Sequence, residues 1–95
     1  MSVKVAHYKQ TRSGSSGAIY VEIGPLTIWF SYYTPIAFQV GGEPRVISRN
    51  YWGNGTGAHL NLIDRDKSKR VPKEEFEGRL AEVLEKIDVA LLPIP

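Results

Sequence analysis

The sequence predicts an α+β fold: an antiparallel β-meander of about five strands, followed by a short helix and a C-terminal amphipathic helix packed on one sheet face. Two observations predict it. Apolar and polar residues alternate in short segments over residues 3–50, which is typical of half-buried strands. Residues 72–92 carry apolar side chains at the spacing of one helix face. Strands before helices, with short connections, favour α+β, and we expect a single domain over residues 1–95.

Glycine, proline and serine separate the alternating segments, and each segment predicts one strand. The strands are predicted near residues 3–8, 18–23, 26–33, 36–40 and 45–50, with a flexible loop or a wide hairpin turn at residues 12–17. The residues assigned to the core face of the third and fourth strands are Leu26, Ile28, Phe30, Tyr32, Ile36, Phe38 and Val40. Trp29 and Tyr33 then point to the opposite face. In the fifth strand, the short alternation leaves open whether Val46 and Ser48, or Ile47, face inward.

A glycine-rich segment interrupts the strand pattern. Residues 53–57 contain three glycines and precede a short helix that we predict over residues 56–63. Thr56 or Asn54 is the expected N-cap, because short polar side chains accept hydrogen bonds from free N–H groups in the first turn. Residues 64–70 are mostly charged and predict a linker.

The last segment predicts a helix over residues 72–92. Pro72 lies in its first turn, where the missing N–H has no cost, and Glu74 and Glu75 suit the helix dipole there. The apolar stripe that should cover the sheet consists of Phe76, Leu80, Val83, Leu84, Ile87 and Leu91.

Composition excludes several classes of protein. The 95 residues include no cysteine, which excludes disulfides, thiolate zinc sites and a cysteine nucleophile. The longest uncharged run, residues 24–42, contains Pro25 and Pro35 and predicts paired strands rather than a membrane helix. The first residues also lack a signal-peptide pattern, so we expect a cytoplasmic protein. The net charge of +2 divides into +5 over residues 1–72 and −3 over residues 73–95.

Aromatic and basic residues predict a candidate binding surface. Its members are Trp29, Tyr33, Arg45, Arg49, Tyr51 and Trp52. Aromatic planes beside arginines can stack bases and neutralise phosphates of single-stranded nucleic acid. The same residue types are enriched in protein interfaces. Both interpretations stay open, with a protein partner or self-association favoured over nucleic acid.

The glycine-rich segment predicts a candidate anion or cap loop. Its residues are Asn54, Thr56, Gly57, His59 and Asn61. Glycines let the backbone approach an anion, and a helix N-terminus offers free N–H groups. Ala58 stands where a phosphate-binding loop requires lysine, so nucleotide hydrolysis is not expected. The two histidines match no metal-site spacing, and we expect no cofactor.

Two blocks in the middle of the chain resemble a known family. The first is Phe30-Ser31-Tyr32-Tyr33-Thr34-Pro35-Ile36-Ala37-Phe38, and the second is Asn50-Tyr51-Trp52 followed by Thr56-Gly57-Ala58-His59-Leu60-Asn61. Over residues 28–64 they resemble small uncharacterised proteins of phages, archaeal viruses and mobile elements. The resemblance implies a viral or mobile-element protein that acts by binding. It also implies that Tyr32, Thr34, Trp52, Thr56, His59 and Asn61 form one patterned unit.

These patterns lead to three ranked hypotheses. The first is a small binding protein, expected to be a homodimer through its open sheet or its aromatic face. The second is a nucleic-acid-binding module that uses exposed aromatic residues and arginines. The third is an enzyme centred on His59 with Thr56 and Asn61, although no catalytic residue is assigned.

Overall fold

The computed structural model describes residues 3–9 and 17–91, and it confirms the α+β class. The elements in chain order are β1 (Val3–His7), β2 (Ala18–Ile23), β3 (Leu26–Ser31), β4 (Thr34–Val40), β5 (Val46–Ser48), α1 (Asn54–Ile63), a 3₁₀ turn (Lys67–Lys69), β6 (Arg70–Val71) and α2 (Lys73–Leu91). The predicted loop residues 12–16 and the predicted last helical residue, 92, lie outside the described residues. None of the helices so described is long and apolar enough to cross a membrane.

The strands form one sheet in the order β1-β2-β3-β4-β5-β6. β1 to β5 pair antiparallel, which confirms the predicted meander. β6 is an addition that the sequence did not predict: it pairs parallel to β5 and lies where a charged linker was expected. The pairing continues through the Arg49 N–H, which donates to the Val71 carbonyl at 2.8 Å. A strand of two residues is too short to show alternation, so hydropathy could not reveal it.

Each helix covers a different face of the sheet. On one face α2 packs in a cluster of Leu26, Ile28, Phe38, Val46, Phe76 and Leu80. On the other face α1 packs in a cluster of Ile36, Ala37, Ile47, Leu60 and Ile63. Val46 and Ile47 are therefore both buried, on opposite faces. The question of which side of β5 faces inward is resolved because both sides do.

A β-bulge changes the expected face of Ile36. Trp29 pairs with Ala37 and Phe30 pairs with Pro35, so Ile36 is an extra residue without an opposite partner. Bulges of this kind shift the side-chain alternation by one residue. Ile36 consequently packs beside Ala37 under α1 and not beside Phe38, and its predicted place on the Phe38 face was wrong.

The hairpin between β3 and β4 turns two residues earlier than predicted. Ser31 pairs with Thr34, which leaves Tyr32 and Tyr33 as a two-residue turn. Tyr32 has φ of 58°, the sign that the first central residue of a type II′ turn requires. Tyr32 was assigned to the core face of β3, and that assignment was wrong because its backbone leaves the strand.

The two helix starts differ from the capping prediction. α1 begins at Asn54 with Gly53 as N-cap, at φ of 140° and without a side-chain cap. The predicted N-cap roles of Thr56 and Asn54 were therefore wrong, since both residues lie inside the first turn. α2 begins at Lys73, and the Pro72 carbonyl accepts the Phe76 N–H at 2.9 Å.

Truncation of Phe76 tests the packing of α2. Phe76 is 1% exposed and contacts the Phe38 ring, with centroids 5.7 Å apart. We expect Phe76→Ala to lower the free energy of unfolding by about 3–5 kcal/mol, through lost burial and the cavity left behind. Leu84→Ala, on the same helix but 39% exposed, should cost less than about 1 kcal/mol. Equal losses in urea denaturation of the two variants would contradict this arrangement.

Candidate functional site

The structure divides the candidate binding surface between two regions. Arg45 lies near the C-terminal end of α1, where its Nη1 donates to the Ile63 carbonyl at 2.6 Å. Its guanidinium also lies over the Trp29 ring, 5.3 Å from the centroid. Trp29 itself packs against the α1 cluster and is only half-exposed. Both residues are thus engaged within the chain.

The other members lie towards the N-terminal end of α1 or on the tip of the β3–β4 hairpin. Tyr33 is 98% exposed and Tyr51 is 54% exposed. Trp52 is half-buried against the α1 cluster, and the Tyr51 and Trp52 rings meet edge to face at 6.2 Å. Arg49 is exposed at the end of β5. Tyr32, 55% exposed, belongs to the same end of the molecule, although the sequence prediction omitted it.

The hydroxyls of Ser31 and Thr56 and the imidazole of His59 form a buried cluster between α1 and the start of this hairpin. Ser31 Oγ lies 2.7 Å from His59 Nδ1 and 2.9 Å from Thr56 Oγ1. Thr56 and His59 are three residues apart and therefore lie on one helix face. Ser31, Thr56 and His59 are 2%, 8% and 4% exposed. The buried polar groups thereby satisfy one another.

Two tyrosine rings enclose His59. The Tyr8 ring meets it edge-on with centroids 6.0 Å apart, and the Tyr32 ring lies 5.4 Å away. The Tyr8 hydroxyl donates to the Phe30 carbonyl at 2.7 Å, and burial raises the pKa of this phenol. Gly17 is required beside Tyr32, because a Cβ there would come within 2.5 Å of the ring. The rings therefore complete a shell around the histidine.

The cluster has the contact of a serine nucleophile and its base but lacks the surroundings that catalysis needs. A reactive serine must meet its substrate, and Ser31 is almost wholly buried. Among the described residues, His59 contacts the Ser31 hydroxyl and the rings of Tyr8 and Tyr32, and none of these is a carboxylate that would orient its ring. In the described part of the chain, no three histidine, aspartate or glutamate residues gather as for a metal ion. The geometry fits a structural role, in which Ser31, Thr56 and His59 fix α1 on the hairpin; we call these three residues the clamp.

A polar groove runs along the opposite side of α1. Its cavity has a volume of about 500 Å³ and is lined by Asn50, Asn54, Gly57, Ala58, Asn61, Lys67 and Arg70. Three residues of the predicted anion loop, Asn54, Gly57 and Asn61, line it, whereas Thr56 and His59 point into the buried cluster. Asn50 shapes one end, since its Oδ1 accepts the backbone N–H groups of Trp52 and Gly53.

Arg70 is the residue of this groove that sequence reasoning missed. It is 9% exposed and its Nη2 donates to Asn61 Oδ1 at 3.0 Å. The surrounding residues 64–70 are mostly charged and predict solvent exposure. The sequence contained one weak signal of the burial of Arg70, namely the apolar Val71 that directly follows it. The two residues together form the strand β6.

The third distinctive feature is the outer edge of β1, with which no strand pairs among residues 3–9 and 17–91. This strand ends the sheet, and its side chains Val3 and Val5 are 61% and 62% exposed. They share a face with Ile19, Val21 and Ile23 of β2, all half-exposed. This aliphatic row extends past the part of the sheet that α2 covers.

The clamp predicts a pH dependence of stability. Burial, and secondly the positive charge of Lys9, lower the pKa of the His59 imidazole below its ordinary value. The unfolded chain therefore takes up the proton first, at about pH 6.5. Stability should be complete above this pH and fall below it, by at most about 1.4 kcal/mol per pH unit.

The measurement is urea denaturation between pH 7.5 and 5, together with an NMR titration of the His59 ring. His59→Gln should lose this component of the pH dependence. A His59 that titrates above pH 6.5 in the folded protein would refute the sign of the effect.

Comparison with known proteins adds a family but no activity. No curated protein and no solved structure matches the chain. A family of unknown function, DUF8033, matches residues 2–78. These residues contain all six strands, α1 and the start of α2, and with them the buried cluster and the groove. Because the match spans most of the chain, the protein belongs to the family of unknown function DUF8033.

Proposed function

We propose that this protein acts by binding and that its first partner is a second copy of the chain, joined edge to edge through β1. The observation that supports this proposal is the outer edge of β1 with its two exposed valines. An unpaired edge offers backbone N–H and C=O groups to another strand. Natural proteins usually blunt such an edge or cover it.

The sequence of β1 is compatible with antiparallel pairing about a two-fold axis. With Val5 on the axis, Lys4 of each copy faces Ala6 of the other, and Val3 faces His7. No like charges then lie directly opposite one another, a placement that would destabilise the pair. A two-fold interface requires such self-complementarity.

Edge pairing would also extend an incomplete apolar surface. The α2 cluster includes side chains from β3, β4 and β5 but none from β1 or β2. Val3, Val5 and their β2 neighbours would continue into the same row of the second copy. Contact between neighbouring side chains across the new strand pair adds about 0.2–1 kcal/mol per pair to the backbone hydrogen bonds.

Sedimentation of matched lysine variants tests the dimer. Wild-type protein should sediment as a dimer at micromolar concentration. Val5→Lys would place like charges at the two-fold axis, and we expect it to weaken the dimer at least tenfold while the fold persists. Leu62→Lys, equally exposed at 54% but on α1, should leave the dimer unchanged. A monomeric wild type at high concentration, or equal effects of the two variants, would overturn the proposal.

A second candidate function is the binding of single-stranded nucleic acid. It is favoured by the nearly complete exposure of Tyr33, together with Tyr51 at the same end of the molecule. Stacking of one base on an aromatic ring is worth about 1–3 kcal/mol. The affinity for a labelled oligonucleotide should fall steeply with salt.

A pair of substitutions at the hairpin tip tests stacking. Tyr33→Ala should weaken oligonucleotide binding by roughly five- to hundredfold, as the loss of one stacked base implies. Tyr33→Phe keeps the ring and should bind nearly as wild type. The absence of oligonucleotide binding at low salt would exclude this function and leave the dimer untouched.

The expected setting follows from the resemblance of residues 28–64. A viral or mobile-element protein of this kind would act in the cytoplasm of the host cell. Detection of the protein in infected or element-carrying cells, by an antibody against it, tests that setting.

A further inference from the structure

The groove beside α1 contains a buried positive charge, Arg70, that forms no ion pair with a carboxylate of the described residues. Arg70 Nη2 donates to Asn61 Oδ1 at 3.0 Å and to the Asp64 carbonyl at 3.4 Å, and both acceptors are neutral. Among the ion pairs of the described residues, none involves Arg70. Its Nε is buried without a hydrogen-bond partner. A buried charge is costly unless it is paired, so a ligand with negative charge would be stabilised here.

Asp64, whose backbone carbonyl accepts from Arg70, has its carboxylate engaged elsewhere. The Asp64 carboxylate accepts the Asp66 N–H at 2.9 Å and pairs with Lys69 at 3.4 Å. The Asp66 N–H, with a further contribution from Lys69, holds the pKa of Asp64 below its ordinary value. Asp64 is therefore committed to its own turn, and only its backbone oxygen reaches Arg70.

The remaining groove residues add donors and positive potential. Lys67 supplies a second cation. Asn61 uses its oxygen on Arg70, which leaves its Nδ2 amide to donate elsewhere. Asn54 opens α1, whose first turn has no side-chain cap and no acidic residue. The positive end of the helix dipole is therefore uncompensated within α1 itself.

A second cavity of similar size shows that this lining is specific to the groove. The cavity between the sheet and α2 has a volume of about 490 Å³ and contains Arg45, Lys69 and Arg79. It also contains Glu43 and Glu82, so both signs of charge are present. The described residues of the α1 groove include cations and amides but no acid. Of these two cavities, only the groove has cations and no acid among the described residues that line it.

We infer that the α1 groove is a binding site for the phosphate group of a small phosphorylated molecule, with Arg70 and Lys67 as its charged ligands. The positive charges of Arg70 and Lys67 and the amide donors of the groove match the several acceptor oxygens of a phosphate. A cavity of about 500 Å³ exceeds the needs of a bare anion and lies in the usual range of small-molecule sites. This site involves neither β1 nor the hairpin tip, so it is independent of the proposed dimer.

Isothermal titration calorimetry tests the site with three probes: inorganic phosphate, adenosine monophosphate and a short single-stranded oligonucleotide. We expect adenosine monophosphate to bind at least tenfold more tightly than inorganic phosphate. Lys67→Ala should weaken it about tenfold. Arg70→Lys, which keeps the charge but loses the Nη2 contacts that hold this side chain against Asn61 and the Asp64 carbonyl, should also weaken it. Lys69→Ala is the matched control, because it removes the same charge two residues away from a side chain that does not line the groove.

The outcomes separate a built site from general attraction to anions. Binding of the monophosphate that depends on Lys67 and not on Lys69 supports the inference. Equal losses in the two lysine variants, or binding of the oligonucleotide alone, would overturn it. The inference would also be overturned if neither inorganic phosphate nor adenosine monophosphate bound at millimolar concentration. Because Lys67 is exposed, Lys67→Ala keeps the test informative even if Arg70→Lys unfolds.

Discussion

Burial of β4 and β5 on both faces of the sheet is the constraint on which the structure depends. Phe38 and Val46 face α2, whereas Ala37 and Ile47 face α1, and all four are at most 7% exposed. A sheet with apolar side chains on both faces must be covered twice. The chain provides this cover with two helices that follow the meander. The positions of α1, the groove and the hairpin tip all follow from that double cover.

Periodicity predicted the parts of the fold that local pattern determines. The strand alternation and the apolar stripe of α2 yielded the correct elements, because each reports one buried face. The bulge at Ile36 and the positive φ of Tyr32 were missed. Both depend on pairing with a neighbouring strand and on packing against residues distant in the sequence. A hydropathy pattern read along one segment contains neither kind of information.

The candidate site was predictable in position but not in its connections. The glycine-rich segment correctly directed attention to α1, yet Ser31 lies 25 and 28 residues before its two partners. Nothing local marks a strand serine as the acceptor or donor for a helix histidine. The sequence did not predict the buried position of Arg70 for another reason, because charged residues are usually exposed. Its burial results from the short parallel strand β6, which only the folded chain displays.

The helix α1 connects the buried cluster with the groove, because one of its sides packs on the sheet and another lines the groove. Residues at helical spacing fix it in place, namely Thr56, His59, Leu60 and Ile63. A second stripe at the same spacing, Asn54, Gly57, Ala58 and Asn61, lines the groove. The buried cluster and the core fix one side of the helix on the sheet, and Asn61 on the groove side accepts a hydrogen bond from Arg70. The net charge of −3 beyond residue 72 lies mostly on α2, against the opposite sheet face. The acidic α2 disfavours an anion on its own side of the sheet, and the anion site that we propose beside Arg70 lies on the other side.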